Sequence, residues 1–145
     1  MPVTPRVSSD SLKSGVLLYE LEDLGAGADV EDRPVFVAHR DLEFTKLRIV
    51  GHDDAAGIDD DNTSVWVFKA VTGAVPVILA TVTFDADNAF PDAGEVFDVP
   101  VNPSVTNNFL RVPEGSLITL SITNGDNANL PACLIQAEYI VDEDL

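Results

Sequence analysis

The sequence predicts an all-β domain: a two-sheet antiparallel sandwich, jelly-roll-like, of about eight strands. Three observations predict it. Short runs of β-branched and aromatic residues recur with turn chemistry between them, the later runs alternate apolar and polar residues with period two, and no stretch sustains a helical period. Apolar residues make up 46% of 145, enough to build a core without metals or disulfides.

Residues 1–14 hold Pro2, Pro5 and four serines without an apolar period, and they read as an extended N-terminal arm. Residues 15–145 then form one sandwich domain. Its strand candidates are Val16–Leu21, Pro34–His39, Phe44–Gly51, Ser64–Val71, Val75–Phe84, Val96–Val99, Asn108–Val112, Ser116–Thr123 and Ala132–Val141. Alternation is cleanest where Ile118, Leu120 and Ile122 oppose Thr119, Ser121 and Thr123, and where Ile78, Ala80, Val82 and Phe84 oppose Thr81 and Thr83. Each such strand has one dry and one wet face. Gly and Asn in Thr72-Gly73, Pro91 to Gly94, Pro113 to Gly115 and Asn124 to Asn127 supply the turns. Ser9–Lys13 and Ala38–Leu42 have room for one helical turn at most.

Ser64–Val71 is apolar on both sides, with Trp66 and Phe68 on one face and Val65, Val67 and Val71 on the other. A strand of this kind needs cover on two sides, by the second sheet and by a loop, the arm or a neighbouring subunit; the last makes it the best internal hint of oligomerisation, and the chain's own loops would serve equally well. Trp66 and Phe68, with Pro2, Val3 and Val7 of the arm, are therefore the interface candidates.

Charge narrows the function. Asp and Glu total 25 against 8 Lys and Arg, a formal charge of −17. Such a surface repels nucleic acid and anionic membranes, so neither is an expected partner. It favours solubility, suits a saline environment, and can seat the protein on a basic partner. Cys133 is the only cysteine; among Pro131, Ala132, Leu134 and Ile135 it reads as a buried small hydrophobe, and no intrachain disulfide is possible. The N-terminus lacks the apolar stretch of a secretory signal, and the longest apolar run, Ala74 to Val82, is too short to span a bilayer.

The richest polar cluster runs from His52 to Asn62. Asp53, Asp54, Asp59, Asp60 and Asp61 form a candidate site for a hard cation such as Ca²⁺, although their spacing matches no known calcium loop and a solvated acidic loop is the simpler account. No other cofactor is expected. His39 and His52 each sit at a strand end without a second ligand at metal spacing. Neither a nucleophile elbow nor a Gly-rich phosphate loop occurs, and a carboxylate pair such as Glu95 with Asp98 is expected by chance in so acidic a chain. The expectation is a protein without catalytic residues.

Three segments, Gly25 to Ala38, Gly57 to Phe68 and Val112 to Ala132 running on to Tyr139, resemble small β-sandwich proteins encoded among the head genes of tailed phages and related viruses. The last resembles them best: a Gly turn, a strand, a polar hairpin loop, Leu130-Pro131, and a final strand ending in Glu138-Tyr139. The three consecutive aspartates are more acidic than that pattern. The resemblance implies a non-enzymatic virion protein on the outer surface of the head, a capsid decoration or cement subunit, with the major capsid protein and further copies of itself, as a trimer, for partners. A head-associated turret or fibre subunit is the nearest alternative. A carbohydrate- or surface-binding jelly-roll module is the competing class; it needs exposed aromatics, whereas Tyr19, Trp66 and Tyr139 all lie within apolar strands.

Overall fold

The computed structural model describes residues 14–73, 75–100 and 111–141. These form nine strands: β1 (Ser14–Leu21), β2 (Val30–Val37), β3 (Leu42–Gly51), β4 (Ser64–Thr72), β5 (Val75–Phe84), β6 (Val96–Asp98), β7 (Arg111–Val112), β8 (Leu117–Asn124) and β9 (Cys133–Val141). Each of the nine candidate segments overlaps a strand, and the described residues contain no helix. Of the arm, Ser14 already belongs to β1, while Pro2, Val3 and Val7 lie outside the described residues.

The first sheet has the order β1-β9-β3, with β6 and β7 both on the free side of β3; the second has the order β2-β8-β4-β5. Every pairing is antiparallel. β6 lies against Arg48–Val50 and β7 against Leu42–Glu43, so the two are halves of one interrupted edge strand. Taken as one, they make eight strands in two sheets of four. The chain then changes sheet at every connection except the β4–β5 hairpin, which is jelly-roll connectivity.

Side-chain parity explains the core. Leu17, Tyr19 and Leu21 of β1 point inward while Val16, Leu18 and Glu20 point out, and β4 and β8 send Trp66, Phe68, Leu120 and Ile122 into the inter-sheet layer. There the Trp66 ring packs against Phe68, Phe84 and Phe90 at centroid distances of 6.3, 6.0 and 5.7 Å, and Phe84 meets Phe97 at 5.0 Å. Tilted and edge-on contacts of this kind add to the area they bury.

Two expectations change. Trp66 and Phe68 are fully buried between the chain's own sheets, where no partner reaches their rings, so they are core residues and not contact residues. The outward valines Val65 and Val67 are half-buried, flanked in register by Thr83 and Thr123 and by Thr81 and Ser121. β2 begins at Val30, four residues before Pro34. Register shifts against β8 and a positive φ of 45° at Asp32 break its alternation, and that hides the strand in a charged stretch.

On the outer face of the first sheet, Arg48 pairs with Asp98 of β6 at 2.9 Å and with Glu138 of β9. This is the cross-strand pairing expected for a basic residue on a wet face. Between the sheets, Arg33 of β2 donates to Glu22 just beyond β1, 2.7 Å from Oε2, and that hydrogen bond holds the Glu22 carboxyl below its usual range.

Candidate functional site

Four connections gather at one end of the sandwich: residues 22–29, 52–63, 85–95 and 125–132. They contain thirteen of the chain's 25 carboxylates and neither a lysine nor an arginine. The charge is therefore concentrated at one pole instead of being spread evenly.

Backbone bonds lace three of the four loops together, and the 85–95 loop is tied to Gly51 at the end of β3. Leu24 N–H donates to the Leu130 carbonyl at 2.9 Å, Ala56 and Asn129 exchange bonds of 3.1 and 2.8 Å, and Gly125 N–H donates to the Thr63 carbonyl at 2.9 Å. Apolar residues plug the end from within: Leu24, Phe90, Ala128 and Leu130 are all buried. Gly57, at φ +72°, is required by this packing, because a Cβ there would overlap the carbonyl oxygen of Asn127.

The carboxylates themselves act as staples. Asp59 Oδ1 accepts from the amides of Asp61 and Asn62 at 2.9 and 2.8 Å; Asp85 Oδ1 accepts likewise from Asp87 and Asn88 at 2.9 and 2.8 Å. Both are Asx turns built on the same pattern, Asp-x-Asp-Asn. Longer staples join separate loops. Asp54 accepts from Ala93 N–H at 3.2 Å, Asp60 from Ala86 N–H at 3.3 Å, Asp23 from Ala132 N–H at 2.6 Å, and Asp29 from Asn124 N–H at 2.8 Å. A charged acceptor makes these stronger than neutral loop bonds.

This arrangement redirects the five candidate metal ligands. Asp53 accepts from Asp54 N–H at 2.8 Å, and Asp54, Asp59 and Asp60 hold three different stretches of backbone. The structure does not bring Asp53, Asp54, Asp59, Asp60 and Asp61 into one ligand set, and no group of three or more His, Cys, Asp or Glu among the described residues is placed to hold a metal ion. Asp23, Asp53 and Asp54 instead rim a depression of about 300 Å³ with Gly25, Asn129 and Pro131. What the end offers chemically is a fixed, strongly negative surface on a braced frame.

The other polar candidates are separated. Asp98 is bound to Arg48, while Glu95 Oε1 accepts from Asp92 N–H at 2.9 Å, so each carboxylate has its own partner. His39 stands edge-on to Tyr139 with centroids 5.4 Å apart. His52 and Cys133 line a second depression of about 240 Å³ with Glu20 and Glu22. Burial pushes the Cys133 thiol from an ordinary 9.0 up to about 12, which lowers its thiolate fraction about a thousandfold. A maleimide at neutral pH is therefore expected to leave Cys133 unlabelled in the native protein and to label it fully in denaturant. Rapid native labelling would contradict the packing around β9.

Fold and loop end together define a small jelly-roll domain with one acidic, hydrogen-bonded pole. No protein-family model matches the chain, and no curated protein matches it. The described residues include no helix long and apolar enough to cross a membrane.

The sequence pointed to the acidic loop but read it as a ligand loop or a solvated one. The staples were missed. Their signal was present in the repeat of Asp-x-Asp-Asn at 59–62 and 85–88, one residue before β4 and directly after β5.

Proposed function

We propose that the chain is a non-enzymatic structural protein of a virus particle, a decoration or cement subunit on the outer surface of a tailed-virus head. The observation that carries this reading is the polarity of a rigid sandwich. Over half of its carboxylates lie at one end, many of them bracing it, which leaves the sheet faces for docking. A subunit seated on a sheet face holds its acidic pole to the side, which keeps like charges off the lattice contact and away from the packaged genome. Many copies on a symmetric shell make weak single contacts sufficient. The resemblance of Val112 to Tyr139 to head-gene sandwiches supports the same reading.

The sugar-binding alternative has lost its platform among the described residues. Trp66, Phe68, Phe84 and Phe90 are buried, and Tyr19, Phe97 and Tyr139 are half-buried against the core. Stacking on a sugar needs an open ring face.

Quantitative mass spectrometry of purified particles from the source tests the proposal. Copy numbers approaching those of the major capsid protein are expected of a lattice-wide decoration protein. A small fraction of that number would move the chain to a vertex turret or fibre. Absence from the particles would overturn the virion reading.

A further inference from the structure

A sandwich of two open sheets has four edges, and in this one three are blunted. β2 carries Pro34, register shifts against β8, and Asp32 at positive φ. β5 carries Pro76 and a register shift against β4. β6 and β7 are only 3 and 2 residues long. β1 has none of these devices. It pairs with β9 in unbroken register from Ser14 to Leu21, contains no proline, lysine or arginine, and pairs with no other described strand. It also holds two apolar side chains outward, Val16 at 51% and Leu18 at 58% exposure. Its free side is a straight template for another strand.

We infer that this edge pairs with the β1 edge of a second copy, antiparallel about a two-fold axis, so that the first sheets of two molecules become one. The register follows from parity. Residues directly opposite each other in an antiparallel pair point to the same face, so the axis falls at a residue and not between two. With the axis at Leu17, each Val16 lies opposite the other copy's Leu18, and each Ser14 lies opposite Glu20. With the axis at Val16, Leu18 would face Ser14; with the axis at Leu18, Val16 would face Glu20. Only the Leu17 register gives both exposed apolar residues an apolar partner.

Charge favours the same geometry. The C-terminal end of β1 leads into the acidic loops, and each chain carries −17. Antiparallel pairing sends the two acidic poles to opposite ends of the dimer, whereas a parallel edge contact would set them side by side. The contact is isologous and closes at two copies, which puts a dimer in place of the trimer expected from the sequence. It does not depend on the virion reading, since the edge is the same whatever the protein decorates.

Sedimentation velocity of the full chain over a concentration series, in about 0.1 M and about 1 M NaCl, tests it. Raising the salt shortens the screening length from about 10 Å to about 3 Å, so a reversible dimer that tightens severalfold with salt is expected. Leu18→Lys, at an exposed site, is expected to weaken association at least about tenfold while leaving the thermal melt unchanged at concentrations low enough for both proteins to be monomeric. Val96→Lys, at an equally exposed site on β6, should have no effect on association. The double variant Val16→Lys/Leu18→Glu sets unlike charges opposite each other only in the Leu17 register, and should associate more tightly than either single variant. A monomer at every concentration and salt overturns the inference, and protected β1 amides in that monomer would name residues 1–13 as the occupant. A dimer indifferent to Leu18→Lys overturns it equally, as does a double variant weaker than both singles.

Discussion

Replacing Trp66 with alanine is expected to cost about 3–5 kcal/mol of unfolding free energy, the range for deleting a large aromatic side chain from a packed core. The ring is fully buried and touches three phenylalanines, so few neighbours can move in to fill the space. A second cost comes from its polar edge. Trp66 Nε1 donates to Ser64 Oγ at 2.9 Å, and Ser64 is itself fully buried, so the alanine variant strands a hydroxyl in the core. Against the roughly 5–15 kcal/mol that holds a domain together, the loss is large. Urea denaturation followed by circular dichroism measures it. Trp66→Phe keeps most of the volume and forfeits only the hydrogen bond, and should cost about 1–2 kcal/mol. An alanine cost below about 1 kcal/mol would mean that the ring is not in the core.

The second large effect is expected at Gly57. Gly57→Ala forces an L side chain to φ +72° and drives its Cβ into the Asn127 carbonyl. The backbone term is about 1 kcal/mol and the displacement of a braced loop adds about 1–3 kcal/mol. Gly94→Ala is the control: φ is +81° there, but nothing lies near the added carbon, so only the backbone term applies. The difference between the two variants isolates the loop contact. Hydrogen exchange should locate it as well, because the paired Ala56 and Asn129 amides lose protection in Gly57→Ala alone. Equal losses of stability in the two variants would show that the loops are not packed as described.

These variants also mark where the sequence was legible. Alternation of the kind seen in Ile118–Leu120–Ile122 depends only on neighbours along the chain, and strands of that type were found directly. β2 was shortened because its bulged half, Val30 to Arg33, follows no two-residue period. Trp66 and Phe68 were assigned to a contact surface because both faces of β4 are apolar. Which face points inward depends on the partner sheet, and no local pattern carries that information. The acidic pole shows the same limit more sharply. Asp54 and Ala93 are 39 positions apart in sequence and Asp23 and Ala132 are 109 apart, so their bonds exist only once the jelly-roll connectivity has brought the loops together. The short-range Asx turns at Asp59 and Asp85, by contrast, were readable and were missed.

The order of strands in the two sheets sets the timing of folding. β8 lies between β2 and β4, and β9 lies between β1 and β3, so the last strands to be synthesised are central ones. Until they emerge from the ribosome, β1 and β2 have no partner strand among the described residues. Among the described strands, only the β4–β5 hairpin and the short contacts of β3 with β6 and β7 can form ahead of them. Both sheets therefore close late, by pairings between distant parts of the chain, and such pairings are slow to form. A nascent chain halted before Leu117 exposes unpaired apolar edges in the meantime, which makes the interval before β8 and β9 emerge the moment of greatest risk of aggregation.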